Sequence, residues 1–231
     1  MQDSNIWYLE NLDTQGIFCP KKLGNSKSTH VYSTFDKGDL IFSPNDAADK
    51  IYFISSGRVK IATEGEGDKT VTKAILTTGE IFGELALAGQ SQRRDFATAL
   101  EPTEVCVLSR DEMKNLFKDH NPLYLFMMKL IGNRALEMEK RLESLIFKDS
   151  RSRIIEYLIE LNKKRGQRVG YEWVVRNFIT HQEIANITAT SRQTVTTVLN
   201  ELKTKNLLTF NRKRLLIREL DKLQLEISGV S

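Results

Sequence analysis

The chain has 231 residues, 40% hydrophobic and 28% charged, and its 34 Lys and Arg stand against 30 Asp and Glu for a net charge of +4. That is enough apolar material for two ordinary domains, with no run of about 18 apolar residues to span a bilayer. Only Cys19 and Cys106 are present, which excludes a disulfide framework, a zinc or other metal site built on thiolates, and an iron-sulfur cluster. Met1 to Glu10 lacks the basic-then-apolar order of a signal peptide, so a cytoplasmic location with no membrane partner is expected. The charge is uneven. From Lys148 onward 16 Lys and Arg face 9 Asp and Glu, a net of +7, which leaves 18 against 21 before it. A basic C-terminal third suits a domain that meets a polyanion, and equally a solvated basic face.

Between Val31 and Leu108, short β-branched and aromatic runs such as Asp39-Leu40-Ile41-Phe42 and Lys50-Ile51-Tyr52-Phe53-Ile54 alternate with turn residues. This predicts an antiparallel sandwich or barrel over residues 1–120. Gly38-Asp39, Ser43-Pro44-Asn45-Asp46, Ser56-Gly57 and Thr78-Gly79-Glu80 supply the turns. In Gly79-Glu80-Ile81-Phe82-Gly83-Glu84-Leu85-Ala86-Leu87 a strand breaks at Gly83 into a short helix, and Arg93-Arg94 lies shortly beyond. A helix N-terminus beside guanidinium groups can hold an anion, which makes Gly83, Glu84, Leu85, Arg93 and Arg94 candidate ligands of a small anionic effector. The alternative is a tight turn with solvated arginines.

Ser109-Arg110-Asp111-Glu112 has the form of a capping box that opens a short helix, which Asn121-Pro122 interrupts. A longer helix is predicted over 121–147. Tyr124, Met128, Ile131, Ala135, Met138, Leu142 and Leu145 recur along it at alternating spacings of four and three, a stripe suited to pairing with a second copy. From Pro122 to Phe147 the helix would run about 39 Å, too long for one small barrel to cover. Leu123, Phe126, Met127 and Leu130 form a second apolar face that can pack on the barrel.

Residues 148–231 read as a winged helix-turn-helix. Ser150 to Lys164 is a helix with Ile154, Ile155, Leu158, Ile159 and Leu161 inward, stopped by Lys163-Lys164-Arg165-Gly166. Thr180-His181-Gln182-Glu183 fits an N-cap and first turn, Thr188 to Thr190 a compact turn, and Ser191 caps a second helix. There Val195, Val198, Leu199 and Leu202 face inward, leaving Arg192, Gln193, Thr194, Thr196 and Thr197 outward. Leu207-Leu208-Thr209-Phe210 and Leu215-Leu216-Ile217-Arg218 flank a basic wing, Asn211-Arg212-Lys213-Arg214. Candidate contacts to double-stranded DNA are Thr180, His181, Gln182, Ser191, Arg192, Gln193, Thr194, Thr196, Thr197, Arg212, Lys213 and Arg214. Ala189 in the turn suggests a backbone without positive φ there.

In this order and spacing, three groups of residues resemble the superfamily of the cyclic-AMP receptor protein and the fumarate and nitrate reduction regulator (CRP/FNR). They are Lys37-Gly38-Asp39 through Gly57-Arg58-Val59-Lys60-Ile61, Gly83-Glu84-Leu85-Ala86-Leu87, and Ile179-Thr180-His181-Gln182-Glu183-Ile184-Ala185 with Ser191-Arg192-Gln193-Thr194-Val195. The likeness covers almost the whole chain. It implies an α+β architecture of N-terminal jelly-roll β-barrel, long dimerisation helix and C-terminal winged helix-turn-helix. It also implies an effector pocket under the cassette, a palindromic operator, a homodimer and contact with RNA polymerase.

The sensor departs from the cyclic-AMP pattern. Arg94 stands where the resemblance implies a small hydroxyl beside the phosphate, and Glu137-Met138-Glu139-Lys140 carries no Thr-Ser pair for adenine, so cyclic AMP is not the expected effector. Another small effector, or control by abundance, fits instead. His30 and His120 fall in no haem-ligation pattern. Gln193 replaces the Glu common in the family, and Gln pairs best with adenine where Glu accepts from cytosine. A rival reading is a cyclic-nucleotide-binding regulatory or scaffold protein whose C-terminal module binds protein. No nucleophile with a base and no nucleotide-hydrolysing loop is present, so an enzyme is not expected.

Overall fold

The apolar runs between turn residues are strands in the computed structural model, which describes residues 31–65, 70–119, 122–211 and 213–228. Val31–Phe35 (β1), Leu40–Phe42 (β2), Lys50–Ser56 (β3), Arg58–Glu64 (β4), Thr70–Thr77 (β5), Ile81–Phe82 (β6), Phe96–Ala99 (β7) and Thr103–Ser109 (β8) form two sheets, ordered β1-β8-β3-β6 and β2-β7-β4-β5. Neighbouring strands are antiparallel. The sheets share a core as a jelly roll without closing into a barrel.

β3 shows why the layers stack as they do, because Ile51 to Ser55 are all buried and alternate residues point to opposite faces. Tyr52 and Ile54 meet Phe42, Val59, Leu76, Phe82 and Val105 between the sheets. Ile51 and Phe53 point the other way, where Cys106 and Leu108 of β8 join them under two helices, Arg110–Asp119 (α1) and Pro122–Phe147 (α2). α1 contributes Met113 and Phe117, and α2 contributes Leu123 and Met127 with Phe126 and Leu130 at the margin. The second apolar face read from the sequence therefore covers the jelly roll. Each such side chain, fully buried, contributes about 1.5–3 kcal/mol.

Local chemistry fixes the joints. The Ser109 hydroxyl accepts the Glu112 N–H at 3.2 Å and the Glu112 carboxylate accepts the Ser109 N–H at 2.7 Å, completing the capping box that starts α1. Gly57 sits at φ +95°, and a Cβ there would lie 2.4 Å from Thr103 Oγ1, so the β3–β4 turn admits no side chain.

The chain divides into two compact units, Met1–Glu137 and Met138–Ser231, and α2 contributes residues to both. In the second, Asp149 caps Ser150–Arg165 (α3), its side chain accepting the Ser152 N–H at 2.7 Å. Next come Gln167–Val169 (β9), Glu172–Arg176 (β10), His181–Thr188 (α4), Arg192–Thr204 (α5), Leu208–Phe210 (β11), Arg214–Ile217 (β12) and Leu220–Ser228 (α6). The four strands form one sheet, β11-β12-β10-β9. α3 packs on α4, α5 and α6, with Ile154, Ile155, Leu158, Ile184, Val195 and Leu199 buried. The β9–β10 hairpin and α6 are additions to the elements expected from sequence.

α6 is pinned by charge. Arg151 of α3 bonds Glu201 of α5 at 2.9 Å and also Glu226 of α6, while Lys205 reaches Glu226 at 2.8 Å and Glu201 at 3.6 Å. The hydrogen bond from Arg151 holds the Glu201 carboxyl below its ordinary 4.5, and those from Lys205 and then Arg151 do the same for Glu226. A depressed carboxyl pKa stabilises the fold fully above pH 4.5, and that contribution is lost as pH falls through the lowered values. A thermal-unfolding series is expected to show a melting temperature that falls below about pH 4.5, with a shallower fall in Glu226→Gln.

Candidate nucleic-acid interface and ligand cassette

The helix-turn-helix is built from caps. Thr180 and Glu183 form a complete capping box at the start of α4, with Thr180 N–H donating to Glu183 Oε2 at 2.9 Å and Glu183 N–H to Thr180 Oγ1 at 3.2 Å. Ser191 caps α5 by accepting the Thr194 N–H at 3.0 Å. Between the helices Ala189 has φ 50° and ψ 51°, a left-handed residue, which corrects the expectation of a turn without positive φ. The turn requires it, because this geometry lets the Ala189 N–H and the Thr190 N–H both close back on the Ala185 carbonyl.

On α5, Arg192, Gln193 and Thr197 are exposed beside Ser191. Thr194 and Thr196 are half-buried rather than fully outward. Thr194 shares a 2.8 Å hydroxyl contact with Ser191, and Thr196 donates to the Arg192 carbonyl at 2.9 Å while lying 2.9 Å from His181 Nδ1. The His181 ring also meets the Phe210 edge at 5.5 Å, so this pair joins α4, α5 and β11. Burial, then the Arg192 charge, holds the His181 imidazole below its ordinary 6.5. Thr180, the cap of α4, and Gln182 in its first turn are exposed, Gln182 donating to Asn186 at 2.9 Å. In the wing, β11 and β12 pair as expected, and Asn211 Oδ1 accepts the N–H groups of Lys213 and Arg214 at 2.8 and 2.9 Å. Lys213 and Arg214 are exposed, and Arg212 lies outside the described residues.

The cassette differs from a simple anion cradle. Gly83 is left-handed at φ +78° and leads into a single 3-10 turn, Glu84–Ala86, in place of the expected short helix. Arg93 is buried, with its guanidinium donating to the Gly83 carbonyl at 3.1 Å and to the Lys50 carbonyl, 4.5 Å over the Phe42 ring. Glu84 is buried too and pairs at 2.5 Å with Arg134 of α2, which also donates to the Ile81 carbonyl. Leu85 and Arg94 are exposed. Sequence reasoning misses Arg134, since 50 positions separate it from Glu84 and no motif links them. On α2, Tyr124, Met128, Ala135, Met138, Leu142 and Leu145 are exposed and Ile131 is half-exposed, with Tyr124 stacked on Phe117 at 4.2 Å.

These contacts can be tested by substitution. Ala189→Gly removes the Cβ from a left-handed residue and is expected to raise unfolding free energy by about 1 kcal/mol in denaturant titration. Arg134→Met leaves a buried carboxylate unpaired and is expected to destabilise the jelly roll by about 3 kcal/mol, a loss largely recovered in the Arg134→Met, Glu84→Gln double variant.

Residues 32–120 match the family of the cyclic nucleotide-binding domain, and residues 152–226 that of the Crp-like helix-turn-helix domain. The chain is 30% identical over 199 residues to the global nitrogen regulator of Synechocystis sp., covering 85% of this chain and 88% of that one. It is 25% identical to a CRP-like cAMP-activated global transcriptional regulator of Mycobacterium tuberculosis, over 82% of this chain and 84% of that one. A solved structure of a CooA mutant from Carboxydothermus hydrogenoformans superposes with a TM-score of 0.77 at 26% identity, over 90% of this chain and 94% of that one. The two halves, their order and these relatives agree, and the chain belongs to the CRP/FNR family of DNA-binding transcription regulators.

Proposed function

We propose that this chain is a cytoplasmic homodimer that reads a palindromic operator, with half-sites about 34 Å apart, and acts there on RNA polymerase. The observation that carries the reading is the first two turns of α5, where Ser191 caps the helix and Arg192, Gln193 and Thr197 are exposed. Arg192 suits guanine, Gln193 suits adenine, and the exposed Thr180, Gln182, Lys213 and Arg214 suit backbone phosphates. The exposed stripe on α2 joins the two subunits.

Control by cyclic AMP is not part of this reading. Glu84 already has Arg134, Arg93 already has two carbonyls and a ring, and Met138 with Glu139 offers adenine no hydroxyls. A different small anionic effector that reaches the exposed Arg94, or the abundance of the regulator itself, sets its activity. Relatives that differ in what their names assign, nitrogen regulation in one and cyclic AMP activation in another, support a family whose sensor is the variable part.

Selection from random duplex DNA by the purified protein tests the reading. A palindrome is expected without added ligand, its recovery unchanged by cyclic AMP, and Gln193→Glu is expected to change the preferred base at one position per half-site. An unchanged preference in that variant removes Gln193 from base contact. Enrichment only with cyclic AMP overturns the account of the cassette.

A further inference from the structure

Arg153 lies on α3, and its guanidinium gathers acceptors from two distant stretches of chain. Its Nε donates to the Thr188 carbonyl at 2.9 Å and its Nη2 to the Ala189 carbonyl at 3.1 Å, both in the turn between α4 and α5. Its Nη1 donates to the carbonyl of Lys148 at 2.8 Å, and Nη2 also reaches Ser150 Oγ at 3.3 Å. Lys148 is the first residue after α2. That end of α2 is itself tied to α3, because Glu156 accepts from Ser144 Oγ at 2.7 Å and pairs with Lys148 Nζ at 2.6 Å.

We infer that Arg153 is a positioning residue that fastens the turn before the recognition helix α5 to the end of the dimer helix α2. This rests on the reading of α5 as the DNA reader and α2 as the dimer helix, and adds how one sets the other. A guanidinium is planar and rigid, so donors fixed on Lys148 at one edge fix the positions of the Thr188 and Ala189 carbonyls at the other. The turn it holds contains the left-handed Ala189, a conformation an alanine leaves readily when its neighbours stop enforcing it. Arg192 lies three residues further on, so a displacement of the turn is carried to the side chains that face bases. A shift of the last turn of α2 moves the Lys148 carbonyl, then Arg153, then the turn, which gives a contiguous route of hydrogen bonds rather than spatial proximity alone.

The test uses the full chain as Arg153→Lys, Glu156→Gln and their combination, with fluorescence anisotropy on the duplex that the wild type selects and on an unrelated duplex. Lysine keeps the charge and loses the fork. Arg153→Lys is expected to weaken the selected duplex on the order of tenfold, with binding to unrelated DNA little changed. Glu156→Gln is expected to weaken it severalfold alone and not further in the Arg153→Lys background. Wild-type affinity in Arg153→Lys, equal losses on both duplexes, or additive losses would overturn the inference. Should the wild type select no duplex, the proposal that it reads an operator without added ligand fails on its own. Amide exchange at residues 188–194 then decides the coupling: faster exchange in Glu156→Gln, with no further increase in the combination, supports it, and unchanged exchange in Glu156→Gln refutes it.

Discussion

A sheet whose central strand is apolar at successive positions must be covered on both sides, and that constraint organises the first unit. β3 offers Tyr52 and Ile54 to the opposite sheet and Ile51 and Phe53 to the outside, where water would meet them without α1 and α2. Covering that outer face occupies Leu123 and Met127 at the start of α2. The helix continues past the sheet, and its other stripe, one residue out of phase at Tyr124 and Met128, is left exposed. The same helix is thus a structural lid at one end and an unpartnered apolar surface along its length.

Arginine joins the loops that strands and helices leave unsatisfied. Arg93 serves the carbonyls of Gly83 and Lys50, Arg110 those of Ala48 and Gln90, Arg134 that of Ile81, and Arg153 those of Lys148, Thr188 and Ala189. Each carbonyl lies outside a regular ladder or at the end of an element, where an unmade hydrogen bond costs about 1–3 kcal/mol. A guanidinium has five donors and cannot lose its charge, so one side chain can serve several such groups at once. In the cassette, Arg93 is committed in this way to the carbonyls of Gly83 and Lys50, while Arg94 beside it is exposed.

What the sequence made legible was local. The capping box at Ser109, the N-cap at Thr180, the turn at Gly57, the apolar run of β3 and the two faces of α2 all depend on residues within a few positions of one another. The wing was legible for the same reason. The β9–β10 hairpin was not, because Gln167–Val169 is short and fully exposed and carries no hydrophobic alternation. α6 depends on Arg151, on the far side of the domain, to hold Glu226. Arg134 acts through Glu84 and Ile81, and Arg153 reaches Thr188 and Ala189, tens of residues away, so nothing in their own neighbourhood marks those contacts. Ala189 shows the opposite limit: local preference argued against a left-handed backbone, and the geometry of the turn overrode it. Thr196 and His181 read as free polar groups on paper, and in the fold they face each other.

The exposed stripe on α2 has a consequence for dosage. If α2 pairs as proposed, a lone subunit presents Met128, Met138, Leu142 and Leu145 to water, Met128 with 71% of its surface exposed, and hides much of that area only on meeting a second copy. At low protein levels the paired form then grows with the square of the subunit concentration, and so does occupancy of a two-fold operator. A doubling of synthesis would approach a fourfold change at the promoter, a nonlinear response that needs no small molecule.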